Sequence, residues 1–239
     1  MNIAIDIGNT RAKMAIFKND RIEKLFTGSF DDILYSLKNI SFSAGIISNV
    51  GNDDYTEKLL SFSSKLFLIS HNLKYPIDIK YGSFSTLGLD RIANVMGAYF
   101  LFPNKENLII DVGTCITYDY INQKNEYLGG SISPGFQLRS NALSNFTENL
   151  PKLNIQLKKQ SLIGENTKSS IESGVINGVL AEIIQITKEY KLISPEINII
   201  LTGGDTAFIK SMVSIKKNSI FALENLTLIG LNAIRKYNI

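Results

Sequence analysis

The sequence predicts an α/β protein made of two similar domains, because a short strand-and-turn occurs twice. In both copies, residues 3–10 and 108–114, apolar residues run into an Asp, which is followed by one apolar residue and a Gly. The likeness continues past the Gly, where residues 11–17 and 115–120 both have the composition of a second strand. Turn residues then follow at matching positions, at Asn19-Asp20 and Lys124-Asn125. These observations indicate a duplicated domain that begins with a hairpin.

The first half of the chain reads as three strands, a helix, a strand, a second helix and a last strand. A helix is predicted from Phe30 because Asp31 and Asp32 would lie near its positive end. The apolar run at 44–50 is typical of a buried strand, and the turn at 51–54 precedes the second helix. The predicted elements are strands 3–7 and 11–17, a third strand after residue 20, helix 30–38, strand 44–50, a helix to about residue 61, and strand 66–70.

A strong helix is predicted at Thr86 to Leu101, where apolar residues recur at helical spacing and Pro103 ends the pattern. The stretch before this helix is irregular, and its aromatic residues either pack in a loop or form the wall of a ligand site. These residues are Tyr75, Tyr81 and Phe84. We place the domain boundary just after the helix, which gives an N-terminal domain at 1–104 and a C-terminal domain at 105–239.

The second half repeats the scheme of the first. Residues 141–167 are polar and irregular, and we expect much of this segment to be an insertion or a partly mobile loop. In the long helix at 170–190, Gly174 and Gly178 permit close approach of a neighbouring backbone, either within the domain or from another subunit. The predicted elements are strands 107–112, 115–121 and 126–132, a helix after Pro134-Gly135, helix 170–190, strand 196–201 and helix 226–237.

Composition narrows the class of protein. The 239 residues are 44% hydrophobic and carry a net charge of +3, with the basic residues scattered, so nucleic acid is not implied. No stretch resembles a signal peptide or approaches the ~20 apolar residues of a membrane span, which predicts a cytoplasmic protein. The single cysteine, Cys115, excludes an internal disulfide, and the single histidine, His71, cannot build a histidine-rich metal site.

The two strand ends carry the residue types of a phosphate site. Asp6 to Lys13 offers a carboxylate, a Gly, two small polar side chains and a Lys within one hairpin. Small residues allow backbone N–H groups to reach phosphate oxygens. An ordinary Asn-containing turn would explain one such pattern, but not its recurrence at Asp111 to Thr114. The spacings of a Walker A loop and of Gly-x-Gly-x-x-Gly are absent, so a nucleotide would lie between the two domains.

Two further motifs have possible chemical roles. Asp90 and Arg91, at the start of the middle helix, are either a favourable first-turn charge and a surface Arg, or a proton acceptor and an anion-binding group. The turn Thr202-Gly203-Gly204-Asp205 ends the last strand of the second domain and would let adenine or ribose lie against the backbone.

Together these motifs resemble the type III pantothenate kinase family. The matching blocks occur in family order and span most of the chain: Asp6-x-Gly8-Asn9-Thr10-x-x-Lys13, Gly88-x-Asp90-Arg91, Asp111-x-Gly113-Thr114-x-x-Thr117, Gly129-Gly130-Ser131-Ile132-x-Pro134-Gly135 and Glu165-Asn166-Thr167. The resemblance implies two tandem ribonuclease-H-like domains of the actin-like ATPase superfamily, with a cleft between them. It also implies a kinase that phosphorylates pantothenate to 4'-phosphopantothenate, the first step of coenzyme A synthesis.

The same resemblance implies three groups of site residues. The ATP-phosphate group is Asp6, Ile7, Gly8, Asn9, Thr10, Arg11, Ala12, Lys13 and Thr114. The pantothenate group is Tyr81, Gly88, Leu89, Asp90, Arg91 and Thr167, with Asp90 as the proton acceptor. Asp111 is the implied ligand of a monovalent cation, K⁺ or NH₄⁺, while Mg²⁺ accompanies the ATP. The implied assembly is a homodimer. Because the chain is short between Val50 and Tyr81, loop contacts of the family are not transferred there.

Two other functions stay open at this point. One is a kinase of the same superfamily that acts on a sugar or carboxylate, which would need a different acceptor pocket around Tyr81 and Asp90. The other is a nucleotide-binding regulator without turnover. Asp90 argues against the regulator, since a pure binder needs no base beside its cleft.

Overall fold

A computed structural model describes residues 1–8, 11–213 and 220–239 of the chain. The strands are β1 (Asn2–Ile7), β2 (Ala12–Lys18), β3 (Arg21–Gly28), β4 (Ala44–Asn49), β5 (Leu66–Leu68), β6 (Asp78–Ile79), β7 (Asn107–Val112), β8 (Cys115–Ile121), β9 (Glu126–Pro134), β10 (Asn198–Thr202) and β11 (Ile220–Ala222). The helices are α1 (Phe30–Leu37), α2 (Asp53–Phe62), α3 (Leu89–Leu101), α4 (Phe136–Asn145), α5 (Thr167–Ile193), α6 (Thr206–Met212) and α7 (Leu226–Asn238). A short 3-10 turn covers Phe84–Thr86.

The chain folds into two compact units, each built from segments that are not continuous in sequence. Unit 1 contains Met1–Asn104, Gln123–Leu128 and Asn225–Ile239, and unit 2 contains Lys105–Asn122 and Gly129–Glu224. These units differ from the predicted domains in two places, since the tip between β8 and β9 and the C-terminal helix α7 pack with the first half of the chain. The predicted division into one domain at 1–104 and another at 105–239 stays a prediction.

The sheet of unit 1 has the strand order β3-β2-β1-β4-β5. β1 is antiparallel to β2, which is antiparallel to β3, while β4 is parallel to both β1 and β5. Ile3, Ile5 and Ile7 lie on one face of β1 and pack in a core with residues of α1 such as Ile33 and Leu37. Every second residue of a strand points to the same face, which is why these three isoleucines reach the same core.

The sheet of unit 2 repeats this order with β9-β8-β7-β10-β11. β7 is antiparallel to β8 and parallel to β10, as β1 is to β2 and β4. Its core combines Leu108, Ile110 and Val112 of β7 with apolar residues of α5 such as Ile176 and Val179. The repeated order confirms the duplicated, hairpin-led fold that the sequence predicts.

The helices α3 and α7 cross with their backbones in contact within unit 1. A Cβ atom added to Gly230 would lie 1.7 Å from the carbonyl oxygen of Ala93, and one added to Gly97 would lie 2.6 Å from that of Leu226. Close to this crossing, the Thr227 hydroxyl donates a hydrogen bond to Asn94 Oδ1 at 2.8 Å. Glycine on each helix is what permits this approach, because any side chain there would overlap backbone atoms.

Three short elements were not anticipated from the sequence: β6, α6 and β11. The predicted irregular segment 141–167 also differs, because α4 continues to Asn145 and α5 begins at Thr167. Between them the chain has no regular element but is anchored, since the Ser140 hydroxyl donates to Leu153 O at 3.0 Å and Ile155 N donates to Gln137 Oε1 at 3.0 Å. In the described part of the chain, no helix has both the length and the apolar composition required to cross a membrane.

Candidate active site

The first glycine turn, Gly8–Arg11, joins β1 to β2 in unit 1. The strand register pairs Asp6 with Lys13, and both side chains are half-buried. Gly8 N–H donates to Arg11 O at 3.0 Å, which closes the hairpin. Asn9 and Thr10, predicted phosphate contacts, lie outside the described residues.

The other predicted phosphate contacts of this hairpin differ in exposure. The side chains of Ile7 and Ala12 are buried, each with 2% of its surface exposed, whereas Arg11 is exposed. The side chains of Ile7 and Ala12 therefore cannot reach a nucleotide, and only the backbone of these two residues could contact one.

The second glycine turn, Gly113–Thr114, joins β7 to β8 in unit 2. Gly113 N–H donates to Cys115 O at 3.0 Å, two residues further on, whereas Gly8 N–H donates to Arg11 O, three residues further on. Space is open on the Cβ side of Gly113, where the nearest atom is 3.9 Å away, and Thr114 is exposed. The glycine N–H groups thus close the hairpins, and Thr114 leaves its hydroxyl exposed beside the second turn.

A third glycine turn, Gly203–Asp205, lies against Asp111 in unit 2. Gly203 has φ of +95°, and a Cβ atom there would lie 2.4 Å from Asp111 Oδ1 and 2.4 Å from Val112 O. Asp205 N–H donates to Val112 O at 3.1 Å. Only glycine fits this backbone conformation and this close approach. Burial also raises the pKa of the Asp205 carboxyl.

Threonine residues flank Asp111 on both neighbouring strands. The register pairs Asp111 with Thr117 on β8 and with Thr202 on β10. Thr117 Oγ1 and Thr206 Oγ1 are buried, and neither has a hydrogen-bond partner among the described residues. A donor set of carboxylate and hydroxyl oxygens suits a hard cation.

Asp90 occupies the first turn of α3 in unit 1. Arg91 N–H donates to Asp90 Oδ1 at 2.9 Å, so the carboxylate lies at the positive end of the helix. The preceding Gly88 makes room for it, because a Cβ atom there would lie 2.5 Å from Asp90 Oδ1. The Asp90 side chain is only half-buried, which leaves it accessible to a substrate hydroxyl.

Arg91 connects this helix start to Tyr81. The Arg91 side chain is 4% exposed, and its Cζ lies 5.6 Å from the centre of the Tyr81 ring. The Tyr81 ring is parallel to that of Tyr127, with centroids 6.3 Å apart. The structure therefore brings Tyr81, Asp90 and Arg91 together as the sequence predicts, and adds Tyr127, whose contact with Tyr81 no local pattern indicates.

His71 supports the chain just before α3. Its Nε2 atom is hydrogen-bonded to Leu87 O at 2.8 Å, and its ring packs edge-to-face on Phe84 at 5.1 Å. Through these two contacts His71 holds the segment leading to Gly88 and Asp90.

Within residues 1–8, 11–213 and 220–239, no three His, Cys, Asp or Glu side chains form a group that could hold a metal ion.

Thr167, the remaining predicted substrate contact, begins α5 in unit 2 and is exposed. The helix start is defined by a capping box, in which Asn166 Oδ1 accepts from Ser169 N–H at 3.0 Å and Ser169 Oγ accepts from Asn166 N–H at 3.1 Å. Such a cap holds the backbone at Thr167 in one conformation.

Unit 2 also contains a polar cluster that the sequence does not indicate, centred on Glu182 of α5. Tyr118 O–H and Ser133 O–H donate to its two carboxylate oxygens at 2.9 and 3.0 Å, and Arg139 forms an ion pair with it. Burial alone raises the pKa of the Glu182 carboxyl, but these hydrogen bonds outweigh that effect and bring the pKa below its usual value.

This cluster reaches the second glycine turn through the chain before α4. Arg139 Nε donates to Pro134 O at 2.8 Å, and the next residue, Gly135, donates its N–H to Thr114 O at 3.0 Å. A Cβ atom on Gly135 would lie 2.1 Å from Gly113 O. The predicted Pro134-Gly135 motif therefore supports the turn that carries Thr114.

The repeated sheets and the glycine turns at their strand ends define an α/β protein with a duplicated fold. One solved structure with this fold is the activator of the 2-hydroxyisocaproyl-CoA dehydratase from Clostridium difficile with bound ADPNP; it has a TM-score of 0.57 and 15% identity, with 99% of this chain and 95% of that chain covered. Another is a glucokinase from an Antarctic psychrotroph, with a TM-score of 0.51, 12% identity and 97% of each chain covered. At these identities the likeness establishes the fold alone.

Sequence relatives identify the family. A family model described as type III pantothenate kinase matches residues 2–189. The type III pantothenate kinase of Flavobacterium psychrophilum is 39% identical to this chain over 244 residues, which cover 99% of each protein. The chain belongs to the type III pantothenate kinase family.

Proposed function

We propose that this chain transfers the γ-phosphoryl group of ATP to the primary hydroxyl of pantothenate, which gives 4'-phosphopantothenate in the first step of coenzyme A synthesis. The observation that carries this proposal is the grouping of Asp90, Arg91 and Tyr81 in unit 1 of a chain of this kinase family. A carboxylate beside a buried cation and an aromatic wall suits an acceptor with a hydroxyl group and a carboxylate.

In the proposed reaction, Asp90 accepts the proton of the pantothenate hydroxyl. The hydroxyl oxygen forms a bond to the γ-phosphorus in line with the bond to the β–γ bridging oxygen, which breaks as ADP leaves. The half-buried Asp90 later returns the proton to solvent. A base of this kind contributes ~10²–10⁴-fold to the rate. Positioning and electrostatics contribute most of the remainder, as in other phosphoryl transfers.

The proposed pantothenate contacts that the structure brings together lie in unit 1. Arg91, which is buried and therefore held in place, would bind the pantothenate carboxylate. Tyr81 would form the wall of the pocket, with backbone contacts from Gly88 and Leu89. Thr167, an exposed residue of unit 2, stays a predicted contact that rests on the family resemblance.

The proposed contacts of the ATP phosphates, brought as the Mg²⁺ complex, come from the resemblance of each glycine turn to the family motif. For the first turn they are residues 6–13, with the Lys13 ammonium. In the second turn the contact is Thr114, whose side chain is exposed. Lys13 would offset phosphate charge, since a Lys ammonium is a compact cation with three donors.

A coupled assay of ADP release tests the function. With ATP, Mg²⁺, KCl and pantothenate we expect turnover, and without pantothenate we expect none. A panel of sugars and hydroxy acids offered in its place should give at most a few per cent of that rate. Faster turnover of another acceptor, or no turnover with any acceptor, would overturn the proposal.

The predictions of a cytoplasmic location and of no nucleic-acid partner stay predictions.

We propose further that Asp111 is a ligand of a monovalent cation, K⁺ or NH₄⁺. The two copies differ at this point, because Asp6 faces Lys13 across the hairpin whereas Asp111 faces Thr117. The buried Thr117 hydroxyl, which has no partner among the described residues and lies across from Asp111 on β8, fits this group as an oxygen ligand. A bound cation would offset the repulsion between Asp111 and the ATP phosphates.

Activity should therefore depend on the monovalent cation. Asp111→Asn is expected to raise both the KCl concentration needed for half-maximal rate and the KM for ATP, since an amide attracts a cation less than a carboxylate does. Binding without turnover is a second readout: KCl should raise the unfolding temperature of the parent but not of the variant. Equal rates in KCl and in a bulky organic cation would count against the assignment.

We also propose that the chain forms a homodimer through α5 and the segment before it. Gly174 is exposed, a Cβ atom added to it would contact no other element within 4 Å, and it borders a groove of about 780 Å³ between α4 and α5. Leu162 and Ile163, held beside α5 by the hydrogen bond from Ser173 Oγ to Leu162 O, are 82% and 77% exposed. Exposed apolar residues of this kind favour association with a second copy.

Sedimentation at micromolar concentration should give twice the 26.6 kDa mass of the chain. Ile163→Glu should shift the mass towards the monomer, because a charge would be buried at the contact. Lys24→Glu, a charge change on the exposed strand β3 of unit 1, serves as the control and should leave the mass unchanged. A monomer mass for the parent would remove the idea.

A further inference from the structure

The tip between β8 and β9, residues 123–128, packs in unit 1 although it lies between two segments of unit 2. Its backbone forms a short parallel ladder with β6. Asp78 N–H donates to Asn125 O at 3.0 Å, and Lys80 N–H donates to Tyr127 O at 2.9 Å. Since Tyr81 follows Lys80 directly, this ladder fixes the start of the chain that carries Tyr81.

The side chain of Tyr127 holds Tyr81 as well. Tyr127 is fully buried, with 0% of its surface exposed, so the surrounding protein atoms restrict the orientation of its ring. The half-buried Tyr81 ring is parallel to it within 4°, at a centroid separation of 6.3 Å, which is within the range of offset aromatic pairs. The same Tyr81 ring lies 5.6 Å from Arg91 Cζ, a cation–π distance.

We propose that Tyr127 is a positioning residue of the pantothenate site, which acts through Tyr81 and, beyond it, Arg91. The proposal rests on the proposed function, in which Tyr81 and Arg91 contact pantothenate. The buried ring of Tyr127 limits the orientations of Tyr81 before substrate arrives, so less conformational freedom is lost on binding. The tip of the β8–β9 hairpin is thereby part of the substrate site.

If Tyr127 contributed only to stability, its replacement would have a different effect on the kinetics. Loss of a buried ring would then lower stability and leave the KM values of the folded fraction unchanged. A positioning role predicts instead a rise in the KM for pantothenate with little change in the KM for ATP. It also predicts that the effect disappears once Tyr81 has lost its ring, because Tyr127 acts through it.

The experiment is a double-mutant cycle on the full chain, measured by steady-state kinetics with pantothenate and ATP varied separately. Tyr127→Leu is expected to raise the KM for pantothenate about 3- to 10-fold and to change the KM for ATP less than twofold. Tyr127→Phe keeps the ring and should stay within twofold of the parent for both. In a Tyr81→Leu background, Tyr127→Leu should add less than a further twofold.

Tyr120→Leu is the matched control. Tyr120 lies on β8 in unit 2, where its O–H donates to Glu106 Oε1 at 2.9 Å and its ring packs on Tyr190. Its replacement removes a tyrosine of equal size from the neighbouring strand without touching Tyr81. The KM for pantothenate should stay at the parent value.

A fluorescence measurement covers the case in which Tyr127→Leu does not fold. The chain contains no tryptophan, so Tyr81→Trp introduces a single reporter at the site. Adding Tyr127→Met, which keeps much of the buried volume, should lower the anisotropy of that reporter and weaken pantothenate binding measured through it.

The outcomes separate the two proposals. A parent without pantothenate kinase activity, or a Tyr81→Leu variant with an unchanged KM for pantothenate, would overturn the site assignment and this inference with it. A raised KM in Tyr81→Leu combined with an unchanged KM in Tyr127→Leu would overturn the inference alone. Full additivity of the two substitutions would also overturn it.

Discussion

Replacement of Asp90 by asparagine is expected to lower kcat by ~10²-fold or more, because the amide cannot accept the proton of the pantothenate hydroxyl. The substitution keeps the size of the side chain, and the amide oxygen can still accept the hydrogen bond that Arg91 N–H donates to Asp90 Oδ1 at 2.9 Å. The start of α3 should therefore stay intact. Nucleotide binding, measured by titration, should be close to that of the parent.

Asp31→Asn is the control for Asp90→Asn. Asp31 is also an acidic residue in the first turn of a helix of unit 1, but it is exposed on α1. Its replacement should leave kcat unchanged. If Asp90→Asn turned over pantothenate near the parent rate, the assignment of Asp90 as the base would have to be abandoned.

Replacement of Gly230 by alanine should destabilise the protein by about 3 kcal/mol or more, since it overpacks the crossing of α3 and α7. The added Cβ would lie 1.7 Å from Ala93 O and 2.8 Å from Gly97 N. Both atoms belong to the backbone of α3, so no side-chain rotation can relieve the overlap and the helices have to separate. For a chain of this length the unfolding temperature should fall by roughly 6–12 °C.

Gly178→Ala provides the matched comparison, because Gly178 also lies inside a helix. A Cβ atom there would lie 3.9 Å from Arg139 Nη1, an ordinary contact. Alanine favours a helix over glycine by up to ~1 kcal/mol, so the unfolding temperature should stay the same or rise slightly. Equal thermal unfolding of both variants would contradict the close packing of α3 on α7.

Gly230→Ala should also reduce activity in the folded protein. Asp90 lies at the start of α3, and a displacement of that helix moves its carboxylate relative to Tyr81. We expect a lower kcat at a temperature where the variant is folded. An unchanged kcat would show that the start of α3 is held independently of the crossing, for example through His71 and Leu87.

The elements with a strong local pattern were predicted closely. The predicted strands 107–112 and 115–121 coincide with β7 and β8, and the helix predicted after Pro134-Gly135 begins at Phe136. Each has an apolar period or a turn residue that lies within the element itself. Local composition was sufficient there because it states which backbone conformation buries the apolar side chains.

The short elements were not predicted because their existence depends on a distant partner. β6 contains two residues and is a strand only because it pairs with the start of β9. β11 has three residues and pairs with β10. Neither has enough residues to show a period of two.

The two Asp-x-Gly strand ends and the start of α3 are where the sequence places them, and the assignment of site residues stays a prediction. The sequence predicts a tight turn at each Gly, and the hydrogen bonds that close these turns, from Gly8 N–H and Gly113 N–H, are decided by the folded hairpins. The prediction of a cleft between the two domains stays a prediction.

The sequence by itself determined the duplicated strand order, the strand-end carboxylates and the family of the protein, because motifs and periodicity are local properties of the chain. Tertiary structure alone decided that α7 packs on α3 through Gly230 and Gly97, and that Tyr127 stacks on Tyr81. These contacts join residues far apart in sequence, and each depends on the shape left between elements after they have packed. No period or turn residue encodes that shape. Only the folded structure therefore shows that Tyr127 belongs to the unit that contains Asp90.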